Sequence, residues 1–262
     1  MNRTVRITFQ RTALVAAAMT FAACTGPVSD NGSQDSSTPT VFEISTQADF
    51  DALANTTFSG GDKVLFERGK RFSGSLSLRR SGEKPEAVIT IGDFGPAESP
   101  RPVIEASVDG MGAIDIRDSG GWHIENLEVS NYSDDRSERH GIFVFARDSG
   151  THSNFVIRNC HVRDVSGVHD NFNNGGIIFR VVGNEIPTKF DGVLIEKNEI
   201  HNISGVGIRT KSTWEADPDD PRGVARPIGR HAHLNVIVRG NRISNVTRNG
   251  IVVGSADSPL IE

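Results

Sequence analysis

Val193–Ile208 reads VLIEKNEIHNISGVGI, and Val236–Ile251 reads VIVRGNRISNVTRNGI. The two share one grammar: an apolar residue, an alternation, an Asn corner, a second alternation, a loop, then Gly-Ile. Phe155 opens a third copy, FVIRNCHVRDVSG, answered by Gly176 and Ile177. Trp122 opens a fourth, WHIENLEVSN, answered by Gly141 and Ile142. Such internal repetition decides the fold before any single motif does.

Aligning the copies places Trp122, Phe155, Val193 and Val236 in one column and Ile124, Ile157, Ile195 and Val238 two residues on. Apolar residues two apart belong to strands with one buried face. The corner that follows is too short for a long crossover and carries no hairpin signal, so the chain bends into a second strand. Leu127, Cys160, Asn198 and Asn241 occupy that corner; Val129, Val162, Ile200 and Ile243 follow it. A third strand begins at each Gly-Ile, with Ile142 and Val144, Ile177 and Phe179, Ile208 and Thr210, and Ile251 and Val253 inward. Three short strands per turn, stacked on themselves, predict an all-β chain built as a single-stranded parallel β-helix, a solenoid whose variable loops lie outside. In this register Asn198 and Asn241 stack inside one corner. Glu125, Arg158, Glu196 and Arg239 share an outward column of alternating sign, as strands ~4.8 Å apart require.

Ahead of the repeats, STQADFDALA offers Ser45 or Thr46 as an N-cap and places Phe50 and Leu53 at helical spacing. A short helix there would cap the first coil. The helix signal, then GDKVLFERGKRFSGSLSL, EAVITIGDFG and PVIEAS, resembles the right-handed parallel β-helix proteins of the pectate-lyase-like superfamily over residues 41–262. SPLIE at the end reads as the start of another segment, so the expectation is that further C-terminal coils are missing.

The first 24 residues read as an export signal: Arg3, Arg6 and Arg11, then the apolar run TALVAAAMTFAA, then FAAC. This resembles a bacterial lipoprotein signal, with Phe21 where that pattern usually has Leu. The resemblance implies lipidation of Cys24 and, with Thr25 after it, delivery to the outer membrane or periplasm. Residues 25–40 are polar and rich in Ser, Gly, Asp and Pro, the composition of a tether. With Cys24 acylated, Cys160 has no disulfide partner. The net charge of −5 gives no reason to expect nucleic acid, and the expected state is a monomer.

Outward positions of the Gly-Ile strands form two columns. One is Ser77, Asp115, Phe143, Ile178, Arg209 and Val252; the other is Arg79, Arg117, Phe145, Arg180, Lys211 and Gly254. Basic residues crowd this strip in a net-negative chain, and Phe lies beside them, which suits an anionic sugar polymer. The expected chemistry is polysaccharide lyase action on a uronate polymer, with Lys211 as base and Arg209 and Arg180 on the carboxylate. Arg79, Arg117, Phe143, Phe145, His169 and Asp170 complete the expected binding surface. A glycoside hydrolase or epimerase and a noncatalytic polysaccharide-binding lipoprotein are the alternatives; hydrolysis needs two carboxylates, and the strip offers Asp115. Glu215, Asp217, Asp219 and Asp220 are oxygen ligands of the kind calcium takes, yet acids in a Pro-rich loop are commonly just solvated. His231 and His233 lack a third ligand. No metal site is assigned.

Overall fold

A computed structural model describes residues 4–5, 38–81, 87–168, 173–215 and 232–262. Sheet one stacks Lys63–Glu67, Ile89–Phe94, Trp122–Glu125, Thr151–Arg158, Lys189–Glu196 and Leu234–Arg239. Val41–Ile44 and Thr4–Val5 extend it at one end, and Leu260–Ile261 at the other. Sheet two stacks Arg71–Ser73, Val103–Ala106, Glu128–Asn131, His161–Val165, Glu199–Ile203 and Arg242–Val246. Sheet three stacks Leu76–Leu78, Gly112–Arg117, His140–Arg147, Gly175–Val182, Val206–Ser212 and Ile251–Val253. Every strand pairing among the described residues is parallel. The chain visits the three sheets in turn, which is the β-helix the repeats predict.

The register is the predicted one. Phe155 pairs with Trp122 and Val193, and Val193 with Val236. All four are buried. On the outside, Arg158 Nε donates to Glu125 at 2.7 Å, and Arg239 Nε donates to Glu196 at 2.9 Å. These pairs are partly exposed, so each contributes below about 1 kcal/mol. Their value is in register, because a one-residue slip would turn every inward residue out.

The corner between sheets one and two is held by an amide ladder. Asn198 Nδ2 donates to Asn241 Oδ1 at 2.9 Å and to the Ile157 carbonyl at 3.0 Å; its Oδ1 accepts from the Cys160 N–H at 3.0 Å. Asn241 Nδ2 donates in turn to the Ile195 carbonyl at 2.8 Å. Just before each ladder position, Asn126, Asn159, Lys197 and Gly240 take positive φ of 52° to 62°. Asn and Gly tolerate that conformation best.

The Gly-Ile pairs have a steric origin. A Cβ on Gly141, Gly176 or Gly207 would stand 2.5–2.7 Å from the carbonyl oxygen of the glycine in the following coil. It would also meet the inward side chains of Val162, Ile200 or Ile243 at 2.4–3.0 Å. The corner into sheet three therefore leaves no room for a side chain.

At the first end, the helix Gln47–Ala52 is capped by Thr46, with Asp49 closing the capping box. Phe50 and Leu53 are buried, and Phe50 stacks on Phe72 at 5.7 Å. His233, to which the sequence assigned no site, belongs to the core. It is fully buried, its Nδ1 accepts from the Phe190 N–H at 3.1 Å, and burial lowers its pKa to about 4. It is a core residue rather than a metal ligand. His231 lies outside the described residues.

Candidate functional site

The two outward columns of sheet three are in the expected register. Ser77, Asp115, Phe143, Ile178, Arg209 and Val252 pair in succession, as do Arg117, Phe145, Arg180 and Lys211. Arg79 is exposed one residue beyond Leu78, whose partner is Ile116. Side chains cover this face more than the alternation implies. Phe143 is only 2% exposed, with the His140 ring 4.0 Å from it and the Arg117 guanidinium 5.3 Å above its centroid. Arg117 lies 5.0 Å from the Phe145 centroid as well, so cation and rings form one continuous stack. Ile178 is covered too. Phe143 is thus the floor of the face, and Phe145, half-buried, is its accessible aromatic.

Carboxylates take a larger part than the sequence predicts. Asp115, 1% exposed, accepts from Arg117 Nε at 2.6 Å, from Arg117 Nη2 at 3.0 Å and from the Gly112 N–H at 3.0 Å. Glu138 is the second carboxylate. Its Oε1 lies 3.5 Å from His140 Nε2 and accepts from Arg180 Nη1 at 3.1 Å. Its side chain is 29% exposed. Hydrogen bonding to His140 holds its pKa below the usual carboxylate range; burial opposes this, and Arg180 and the Asn173 amide add to it. Burial drives the His140 pKa down, with Glu138 opposing, so the resting ring is neutral. Both ring nitrogens are buried; Nε2 has only the long 3.5 Å approach to Glu138, and Nδ1 meets no partner among the described residues.

The segment carrying these groups is fixed from below. Asn131 Nδ2 donates to the His140 carbonyl at 3.0 Å and to the Met111 carbonyl at 3.2 Å. Asn174 Oδ1 accepts from the Arg139 N–H at 2.5 Å. The Arg139 side chain is buried and pairs with Asp109 and Asp135. Between these anchors, Glu138 and His140 are presented to sheet three.

Sequence reasoning missed Glu138 because the alternation slips at the corner. A side chain on Gly141 would meet Val162 and Val165, so Gly141 and Ile142 both face the interior. His140 therefore emerges on the outer face, two residues after Glu138. The run ERHGI carries that signal once the glycine is read as a corner.

The expected trio is assembled only in part. Arg180 and Lys211 are register partners, and Arg209 pairs with Ile178. Arg180, however, is committed to Glu138, so it is not a free cation pressing on Lys211. His169, Asp170, Cys24, Asp217, Asp219 and Asp220 lie outside the described residues, as does the Glu215 side chain. Among the described residues, no three His, Cys, Asp or Glu side chains gather as a metal site.

No family model matches the chain. It is 24% identical to a lacto-N-biosidase of Bifidobacterium longum subsp. longum, across 77% of this chain and 17% of that protein. Crystal structures of a GH136 lacto-N-biosidase from Eubacterium ramulus share its fold. The selenomethionine derivative matches with TM-score 0.68 and 23% identity over 84% of this chain and 43% of that one. The native protein matches with TM-score 0.65 and 21% identity, over 85% and 44%. The chain spans less than half the length of each of these proteins. The similarity corrects the expected activity: the proteins it finds are biosidases, not polysaccharide lyases. Lys211 as an eliminating base goes with the lyase reading.

Proposed function

We propose that this chain is a carbohydrate-active β-helix protein with glycoside hydrolase chemistry, acting on a glycan that carries lacto-N-biose-type units. The observation that carries the reading is Glu138, an ionised, solvent-reachable carboxylate set between His140 and Arg180 beside an aromatic floor. A hydrolase needs one carboxylate to act on water or carbon and a second acid to protonate the leaving oxygen. Glu138, held ionised, fits the first role. Asp170 is the candidate acid: in sequence it shortly precedes Asn173, whose amide bonds Glu138. Asp115, locked by Arg117, keeps the stack of rings and cation in place. Phe145 offers a face to a sugar ring, and Arg79, Arg117, Arg209 and Lys211 supply donors to its hydroxyls. His169 is retained as a groove residue on its sequence position.

Export with lipidation at Cys24, and the wider kinship with the pectate-lyase-like superfamily, are proposed on the sequence. The deciding experiment is release of the aglycone from an aryl lacto-N-bioside. Glu138→Gln is expected to lower turnover by roughly 100-fold or more. Full turnover in that variant would overturn the assignment, and absence of any release by the unmodified protein would overturn the reading.

A further inference from the structure

A second site lies on another face of the helix. Beside sheet two runs a groove of about 390 Å³, lined by Tyr132, Ser130, Arg163, Asp164, Ser166 and Asn202 among others. That volume falls toward the lower end of small-molecule sites, roughly 300–1,000 Å³. Tyr132 stands on its rim, 56% exposed, one of few large apolar side chains left in solvent among the described residues. Its hydroxyl donates to Asp134 at 2.9 Å, which limits the motion of the ring.

The polar lining is preorganised. Asn202 Nδ2 donates to Asp164 Oδ1 at 3.0 Å, and Asn245 donates to Asn202 Oδ1. Arg163 is paired with both Glu128 and Asp164. Ser166 Oγ accepts from the Ser133 N–H at 2.8 Å and donates to the Ser133 carbonyl at 2.7 Å. A ligand meeting these groups does not have to order them first, which lowers the cost of binding. Among the described residues, Arg163 is the cation lining the groove, and it already has two acidic partners, which does not favour an anion. What remains is an exposed aromatic face in the same groove as fixed amide, carboxylate and hydroxyl groups. A neutral pyranose matches it, with an apolar C–H face for the ring and hydroxyls for the lining.

We propose that the Tyr132 groove is a glycan-binding site separate from the face that carries Glu138. It needs no hydrolysis; only the choice of lacto-N-biose as the probe rests on the hydrolase reading. Joined to a site on sheet three by a rigid coil, it would raise the local concentration of a branched or polymeric glycan.

Tyr132 is the chain's single tyrosine, so protein labelled with 3-fluorotyrosine carries one fluorine resonance, located in this groove. Titration with lacto-N-biose is expected to shift that resonance saturably, half-complete at roughly 1–10 mM. Sorbitol at matched hydroxyl concentration should not. Asn202→Ala should weaken the response at least several-fold, and Tyr132→Ala should abolish the corresponding heat in calorimetry in a Glu138→Gln background. The fluorine titration of Glu138→Gln itself should match the unmodified protein. No shift, an equal shift with sorbitol, or a shift lost in Glu138→Gln would each overturn the proposal, whatever the outcome of the aglycone assay.

Discussion

Asn198 satisfies three partners with one side chain: the half-buried Asn241 amide and, fully buried, the Ile157 carbonyl and the Cys160 N–H. Truncation to Ala would leave a donor and an acceptor buried without partners, at about 1–3 kcal/mol each before relaxation. Asn198→Ala is therefore expected to lower unfolding free energy by about 2–4 kcal/mol, read from the urea midpoint at unchanged slope. Asn241→Ala, nearer the described end of the stack and half-open to solvent, should cost less. This ladder was legible because its residues recur at one position of a four-fold repeat. The second ladder, Asp164–Asn202–Asn245, was not singled out, although it recurs as regularly. Its members sit at positive φ on the outer surface, and an exposed Asn carries no burial signal.

Strand register was read correctly from alternating apolar residues, and the charge column confirms it in the ion pairs of Arg158 and Arg239. Corners were harder. Gly141, Gly176 and Gly207 are places where two coils touch backbone to backbone, and their absent side chains reset the alternation. Gly176→Ala would press a methyl against the Gly207 carbonyl, 2.7 Å away. Overpacking of that kind costs typically 1–3 kcal/mol, and thermal unfolding should fall accordingly. Gly150→Ala, with open space around it but a φ of 83°, should cost less. Because the reset lies at the corner, Glu138, just before it, was assigned no face in the sequence.

For the molecule as a whole, counting cations along one strip of a net-negative chain overestimated its positive character. Acids arriving from loops, Glu138 foremost, and from the same strand, as Asp115, occupy those cations. Only the folded chain shows these pairings. Between pH 7 and 5 its acid response includes buried histidines. Burial lowers the pKa of His123, His140, His152 and His233, the last to about 4. Each binds its proton more readily when unfolded, so it favours the fold fully above about pH 6.5 and loses that contribution as pH falls toward the folded value. For His233 the window runs from about pH 6.5 to 4 and is worth about 3 kcal/mol. Denaturant midpoints measured at pH 7 and pH 5 should differ in that direction, and His233→Gln should flatten the difference.

Cys160 stands in the amide column where its two following neighbours are asparagines, fully buried, its thiol pushed up to about 12 by desolvation. In the closed helix such a thiol is chemically silent, since the thiolate is the species that reacts. Labelling by a maleimide then proceeds only while the middle coil is open. In a Cys24→Ser chain the labelling rate becomes a stopwatch for that opening, started at one known rung of the solenoid. If coils peel from the ends, the reaction should be slow and track global unfolding. If the solenoid parts in its middle, Cys160 should react well before the ends of the chain have melted.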